Sequence, residues 1–210
     1  MEARDLVLHQ LKNIFCVNES LIDIQDNYIF EKAEKAAVNA LYSFNNKYIQ
    51  GQKINPFNGV MYTNYLYWLS RFFYENENIE MADKIYGLNK MMNSVDLFYA
   101  IKLPLIWTCE HPLGSVMGRA DYGERFVFYQ GCTVGGNRKD ATIYYPRIGE
   151  NVTMYSNSKV LGSSIIGNNV TLAANAYVIN QKIPDNSIVF GQSPNIVIKE
   201  KRITQNKREI

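Results

Sequence analysis

A six-residue repeat between Ile148 and Ile179 is the feature that most constrains how this 210-residue chain can fold. Six successive blocks begin with an aliphatic side chain, and these leading residues are Ile148, Met154, Val160, Ile166, Leu172 and Val178. A period of six fits neither a helix nor a single alternating strand. It is typical of a parallel β-helix in which each block forms one side and three blocks complete a turn. The leading side chains then fill a narrow core, and the Gly and Asn residues between them suit corners with positive φ.

The same spacing continues toward the N-terminus through Val134, Phe128 and Tyr122, and it reaches Met117 with one residue missing. The interval from Val134 to Ile148 is longer than two blocks, and its sequence is polar and irregular. We therefore predict a loop that leaves the coil at this point, where a rigid repeat fold commonly carries a site. The predicted β-helix covers residues 105–198, and residues 199–210 form a basic C-terminal tail.

The first 104 residues predict a helical domain. Apolar side chains recur at helical spacing, as in Val7 and Leu11, and a third helix is predicted over residues 59–75. Asn78 is a candidate cap for a fourth helix, and a short fifth helix is predicted from about Ser94 to Lys102. The fold class is therefore α+β, with an N-terminal helical bundle followed by a parallel β-helix of hexapeptide repeats.

Composition excludes several classes of function. A net charge of +2 gives no strong field for nucleic acid, and no segment has the pattern of a signal peptide or the length of a membrane span. Three cysteines at no metal-like spacing predict a reduced, cytoplasmic protein without a metal. The β part contains a single histidine, His111, which excludes a zinc site built from three histidines of one chain.

His111 is the candidate catalytic residue, because an imidazole suits general-base chemistry near neutral pH. Glu110 beside it is a candidate for orienting the ring, although a lone histidine is more often structural than catalytic. Thr133, Gly135 and Gly136 are candidates for cofactor binding, since paired glycines let a ligand approach the backbone; an ordinary turn would explain them too.

The predicted loop offers cations and aromatic rings that would suit a sugar, phosphate or nucleotide, and a solvated loop is the alternative interpretation; its residues are Arg138, Lys139, Tyr144, Tyr145 and Arg147. Tyr144 and Tyr145, together with Arg119 and Tyr122 outside the loop, are candidates for binding the acceptor substrate. Cys109 lies close to His111 in the sequence, but its apolar neighbours favour packing over a role as nucleophile.

These features together resemble the serine acetyltransferases, which are acetyl-CoA-dependent members of the left-handed β-helix acyltransferases. The resemblance covers about His111 to Val197. His111 followed by Gly114 and Gly118 looks like the family's histidine motif, and residues 130–136 look like its strand with a double glycine. The resemblance implies a left-handed coil, acetyl-CoA as the donor, no metal, a homotrimer with the donor between neighbouring coils, and His111 as the base. Gly191 and Lys199 would then contact the donor's distal part.

The sequence departs from the family where the coil resumes. The serine enzymes carry an Arg-His pair before the proline, and the corresponding residues here are Tyr144 and Tyr145. A tyrosine cannot replace the charge that would hold the carboxylate of serine, and it suits stacking on a sugar. The sequence therefore predicts an acetyl-CoA-dependent O-acetyltransferase acting on a carbohydrate hydroxyl, in polysaccharide biosynthesis. Serine as acceptor is the alternative, and an inactive β-helix scaffold is the second alternative.

Overall fold

The computed structural model describes residues 2–17, 24–47, 49, 53–139 and 141–201, and it divides near residue 100 into two compact units. Four helices make up the regular structure described in the first unit: α1 (Ala3–Phe15), α2 (Ile24–Tyr42), α3 (Gly59–Glu75) and α4 (Ile79–Asn93). Within the described residues, no helix is both long and apolar enough to cross a membrane.

Helix α3 forms the centre of the first unit, because almost every side chain from Met61 to Phe73 is buried. Asn58 caps this helix by accepting hydrogen bonds from the N–H groups of Val60 and Met61, at 3.0 and 3.2 Å. Asn78 caps α4 as predicted, accepting from the N–H of Met81 at 3.1 Å.

The predicted fifth helix is wrong, because residues 94–102 contain no helix. Ser94 ends α4 in the left-handed region with φ 52°, which turns the chain away from the helix axis. The segment that follows is held by side chains instead: Asp96 accepts hydrogen bonds from Tyr86 at 2.6 Å and from Lys90 at 2.9 Å.

The second unit is a parallel β-helix, which confirms the predicted fold. Its strands form three sheets with the orders β1-β4-β9-β12-β15-β16, β13-β10-β5-β2 and β14-β11-β8-β3. The first-sheet strands are β1 (Trp107–Glu110), β4 (Phe126–Tyr129), β9 (Thr153–Met154), β12 (Thr171–Leu172), β15 (Ser187–Phe190) and β16 (Val197–Glu200). The second-sheet strands are β2 (Val116–Met117), β5 (Thr133–Gly135), β10 (Lys159–Leu161) and β13 (Tyr177–Ile179). The third-sheet strands are β3 (Asp121–Tyr122), β8 (Arg147–Ile148), β11 (Ile165–Ile166) and β14 (Lys182–Ile183).

The leading residues of the repeat form the core of the coil. All six from Ile148 to Val178 are at most 4% exposed, as are the upstream Met117, Phe128 and Val134. Each lies beside its equivalent in the next turn, as Val160 does between Val134 and Val178. The period of six therefore reports an inward-facing stack, as the sequence predicts.

An asparagine ladder lines one corner of the coil. Asn151, Asn169 and Asn186 have φ of 54°, 58° and 54°. The side-chain amide of Asn151 donates to Asn169 Oδ1 at 2.8 Å, and that of Asn169 donates to Asn186 Oδ1 at 3.0 Å. Asparagine tolerates the left-handed region better than other residues with a side chain. Each of these asparagines can therefore adopt the positive φ of the corner and also form hydrogen bonds with the equivalent asparagine in a neighbouring turn.

The last turn of the coil is covered by β16, which pairs with β15 in the antiparallel direction. Lys199 and Glu200 of the predicted tail belong to this strand. The Nζ of Lys201 donates to the carbonyl of Asn169 at 3.0 Å and to Thr171 Oγ1 at 2.9 Å. The remainder of the tail, residues 202–210, lies outside the described residues.

The segment predicted as an irregular loop contains a two-stranded hairpin, β6 (Asn137–Lys139) and β7 (Thr142–Tyr144). The two strands pair only with each other, in a sheet separate from the coil. The chain returns to the coil at Pro146, whose carbonyl accepts from the N–H of Asp121 at 3.1 Å.

Candidate functional site

His111 stands at the corner where the chain leaves β1 and turns toward β2. Its φ is 48°, which is uncommon for a residue with a side chain, and its carbonyl accepts from the N–H of Leu113 at 2.7 Å. The residue is exposed. Because the tight turn fixes the backbone, the imidazole projects from a rigid part of the fold rather than from a long loop.

Glu110 lies on the outer face of the first sheet. Cys109 before it is fully buried, and side chains alternate along a strand, so Glu110 points outward beside its register partner Tyr129. Burial raises the pKa of Tyr129, and the nearby Tyr155 and Glu110 raise it further. Glu110 and His111 thus lie at one corner, with the carboxylate of Glu110 close to an aromatic surface.

Tyr129 and Tyr155 form a tyrosine strip that sequence reasoning did not identify. Their rings lie 4.9 Å apart in neighbouring turns. The register continues this outward column through Ala173 to Phe190, so the strip runs parallel to the coil axis beside the His111 corner. The signal in the sequence was available: each tyrosine directly follows an inward-facing leading residue and must therefore point outward.

Gly191 and Lys199 lie at the far end of this column. Gly191 has φ 79° in the turn after β15, and Lys199 Nζ is 5.5 Å from the centre of the Phe190 ring. Four strand spacings separate β1 from β15, which corresponds to about 19 Å. An extended ligand along the column could therefore contact both His111 and Lys199.

Thr133 and Gly135 lie in β5, within the second sheet, and Gly136 follows directly. A Cβ built on Gly136 would be 2.9 Å from Tyr145 Cε1 and 2.9 Å from Ile143 Cγ2. The absence of a side chain at Gly136 thus makes room for residues of the chain's own hairpin. This is a different physical reason for the glycine from the close ligand approach that the sequence suggested.

Arg119, Tyr122 and Tyr145, with Gly118 and Gly136, form what we call the arginine corner, at the end of β2. The guanidinium carbon of Arg119 lies 4.8 Å from the centre of the Tyr145 ring. The Tyr122 hydroxyl donates to the carbonyl of Gly118 at 2.6 Å, so in this structure it supports the backbone next to Arg119. The corner thus brings together three of the four side chains predicted to bind the acceptor. Tyr144 is exposed on the adjacent strand β7.

Most of the candidate residues form three groups: the His111 corner with Glu110, the arginine corner, and the paired strands β15 and β16 with Gly191 and Lys199. Strand β2 and its flanking residues run between the first two groups, so one side of the coil separates them. Within one chain, His111 and Arg119 consequently occupy different corners of the triangular coil.

The two cysteines of the coil are poor nucleophiles. Cys109 and Cys132 are fully buried. Burial raises the pKa of both thiols, and the charge of Glu110 raises that of Cys109 further. Among the described residues, no group of three His, Cys, Asp or Glu side chains could hold a metal ion.

Comparison with known proteins identifies one type of enzyme. Residues 145–180 match the family model for the bacterial transferase hexapeptide (six repeats). The serine acetyltransferase of Staphylococcus epidermidis is 30% identical over 91 residues, which are 43% of this chain and 43% of that protein. The chain thus matches less than half the length of this curated relative.

Two solved structures have the same fold. The serine acetyltransferase of Neisseria gonorrhoeae superposes with a TM-score of 0.68 at 20% identity, covering 88% of this chain and 74% of that one. The Brucella abortus serine acetyltransferase in complex with coenzyme A gives a TM-score of 0.66 at 19% identity, with 86% and 72% covered.

The prediction of a carbohydrate acceptor, and with it a role in polysaccharide biosynthesis, is wrong. The matched relatives and solved structures are serine acetyltransferases, so the comparisons favour the alternative acceptor. The structure gives a physical reason for the error. The Tyr145 ring packs against Gly136 and contacts the Arg119 guanidinium, so its face is not free to stack on a sugar.

Proposed function

We propose that this chain is an acetyl-CoA-dependent acetyltransferase whose acceptor is the hydroxyl of L-serine. The observation that carries the proposal is His111, the only histidine outside α1, exposed at a rigid corner of a coil that has the serine acetyltransferase fold. The match to curated serine acetyltransferases supports the choice of acceptor.

In the proposed reaction, the neutral imidazole of His111 accepts the proton of the serine hydroxyl as that oxygen attacks the thioester carbonyl carbon. The carbon–sulfur bond then breaks, and the departing thiolate takes the proton back from the imidazolium. The products are O-acetylserine and CoA. Glu110 at the same corner would stabilise the imidazolium through its negative charge. Direct transfer fits the burial of Cys109 and Cys132, which leaves no accessible thiol in the coil for a covalent intermediate.

The donor would lie along the outward column of the first sheet. Its thioester would sit at the His111 corner, and the tyrosine strip would offer apolar surface to the pantetheine arm. At the far end, Lys199 would bind phosphate groups of the donor through its Nζ, which lies 5.5 Å from the centre of the Phe190 ring. Thr133, Gly135, Gly136 and Gly191 remain predictions as donor contacts.

The proposal includes a homotrimer. His111 and Arg119 occupy different corners of one coil, and a cyclic assembly brings one corner of each copy against a different corner of its neighbour. Leu113 and Val116, which follow His111, are 60% and 39% exposed although both are apolar. Burial of these side chains between copies would stabilise such an assembly. Light scattering coupled to size-exclusion chromatography tests it: a monomer would contradict this part of the proposal.

The experiment that tests the activity is thiol release from acetyl-CoA by the purified protein with L-serine as acceptor. His111→Ala should lower kcat/KM at least roughly 100-fold, the usual scale of general-base catalysis. His9→Ala is the matched control, because His9 is also exposed but lies in α1. No serine-dependent release by the unmodified protein, or equal activity of the two variants, would contradict the proposal. Cytoplasmic location remains a prediction that rests on the free cysteines.

A further inference from the structure

The acceptor amino acid carries a carboxylate, and its binding site needs a cation with free N–H donors. Tyr144 and Tyr145 supply no such charge. The described arginines near the arginine corner and the β6–β7 hairpin are Arg119, Arg138 and Arg147, and all three are exposed; Arg125 lies beyond β3, at the next corner of the coil. The structure distinguishes them by what holds each side chain.

Arg119 is the arginine held by an aromatic ring. Its guanidinium carbon lies 4.8 Å from the centre of the Tyr145 ring, within the range of a cation–π contact. A cation–π contact places the charge over the face of the ring and does not use the N–H groups of the guanidinium as hydrogen-bond donors. Those groups form a planar fork that matches both oxygens of a carboxylate. The contact thus orients the charge while leaving its donors free for a ligand.

The backbone that carries Arg119 is fixed from both sides. The N–H of Gly118 donates to the carbonyl of Val134 at 2.8 Å, and the carbonyl of Gly118 accepts from the Tyr122 hydroxyl at 2.6 Å. A Cβ on Gly118 would lie 2.6 Å from the Val134 oxygen, so the close approach requires glycine. Tyr145 is positioned in turn by its contact with Gly136. Little ordering entropy is then lost when a ligand binds.

The other two arginines lack this arrangement. Arg147 is the register partner of Asp121 in the pairing of β3 and β8. The carboxylate of Asp121 therefore lies on the same surface as Arg147 and would repel the carboxylate of a ligand. Arg138 lies on the hairpin strand β6, opposite Ile143. Both are exposed cations near the corner, which makes them matched controls for a substitution of Arg119.

We propose that Arg119, stacked on Tyr145, binds the carboxylate of an acceptor amino acid whose hydroxyl faces the His111 corner of a neighbouring copy, and thereby sets specificity for serine over neutral hydroxyl compounds. This inference rests on the proposed function and on its trimer, because His111 and Arg119 lie at different corners of one coil. The positive charge that the Arg-His pair would supply comes here from another part of the chain, and Tyr145 acts as its support.

The test compares L-serine with L-serinamide, which has the same hydroxyl but no negative charge. Arg119→Gln should raise KM for serine roughly 10- to 100-fold, the scale of a charge-assisted hydrogen-bond pair, with kcat changed much less. KM for serinamide should change less than about 3-fold, because that acceptor does not use the charge. Arg119→Lys should recover part of the loss, since it restores the charge without the fork.

Two further variants test the support by the ring. Tyr145→Phe keeps the aromatic face and should retain the KM for serine, whereas Tyr145→Ala should raise it several-fold. Arg147→Gln and Arg138→Gln should leave the ratio of the two KM values unchanged. Circular dichroism on each variant checks that the fold is intact, as expected for exposed side chains.

The outcomes separate the two proposals. If the unmodified protein acetylates serine and Arg119→Gln raises KM for serine and serinamide equally, Arg119 does not bind the carboxylate, and the proposed activity stands. A selective rise for serine in Arg147→Gln would transfer the role to Arg147 and overturn the inference. If the unmodified protein shows no turnover with serine, the proposed function fails, and the inference fails with it.

Discussion

Replacing Asn169 by alanine should destabilise the coil by an amount that can be worked out from its contacts. The residue has φ 58°, and its side chain accepts from Asn151 and donates to Asn186. Placing alanine in the left-handed region costs about 1 kcal/mol, and the two lost hydrogen bonds contribute about 1 kcal/mol each. We therefore expect Asn169→Ala to lower the free energy of unfolding by about 3 kcal/mol.

Two other substitutions separate these contributions. Asn169→Gly removes the side chain, but glycine adopts the positive φ without strain, so the free energy of unfolding should fall by about 2 kcal/mol. Asn175 has φ 62°, is exposed and takes no part in the ladder. Asn175→Ala should therefore lower the free energy of unfolding by only about 1 kcal/mol, from the backbone alone.

The assay is urea unfolding followed by tryptophan fluorescence. Trp68 lies in α3 and Trp107 in β1, so a Trp68→Phe background leaves Trp107 as the reporter of the coil. All variants are compared at one protein concentration, since association changes apparent stability. Equal losses for Asn169→Ala and Asn175→Ala would refute the ladder as a source of stability. A larger loss for Asn169→Gly than for Asn169→Ala would refute the argument from backbone strain.

Three further predictions concern different parts of the molecule. Burial and the hydrogen bond to Asp83 raise the pKa of Tyr99 to about 12, so the folded state binds an extra proton above the ordinary pKa of about 10. The resulting stabilisation of the folded state is fully present below pH about 10 and is lost between pH about 10 and 12. Over that window, the urea midpoint should fall less steeply with pH for Tyr99→Phe than for the unmodified protein. Val160→Ala should lower the free energy of unfolding by about 2 kcal/mol, measured with the same Trp107 reporter, because its side chain is fully buried in the stack. Gly136→Ala should raise KM for serine in the thiol-release assay while the circular dichroism spectrum is retained, because its Cβ would displace the Tyr145 ring.

The core of the coil could be predicted from the sequence because each inward position recurs at a fixed interval. Between Tyr155 and Ala173 a turn spans 18 residues, so a regular period places equivalent residues side by side. The α3 boundaries were predictable for a similar reason: Asn58 signals the start, and a long apolar run follows. In both regions, the local sequence determines the structure directly.

Arg119 and Tyr145 were both candidate residues, but their contact could not be predicted, because the hairpin interrupts that regularity. From Tyr129 to Tyr155 the turn spans 26 residues, and Arg119 meets Tyr145 across the same insertion. The six-residue frame shows that the coil resumes at Ile148, but no local pattern shows which side chains the hairpin residues contact. In the sequence, Tyr144 and Tyr145 therefore indicate the loss of a cation, although the fold places Arg119 against the Tyr145 ring. The same limit applies to residues 94–102, where side-chain contacts with α4 replace the helix that the spacing suggested.

The antiparallel direction of β16 also bears on polymerisation. A parallel coil presents unpaired backbone groups at its last turn, and an identical coil could add there end to end to begin a filament. Strand β16 occupies that edge of the first sheet in the opposite direction, and it carries Lys199 and Glu200. In the second sheet, the N–H of Ser193 donates to the carbonyl of Tyr177 in the last strand, β13, at 2.8 Å. At two of the three sheets, the last parallel strand therefore contacts backbone that does not continue the parallel coil, which disfavours the addition of an identical coil end to end.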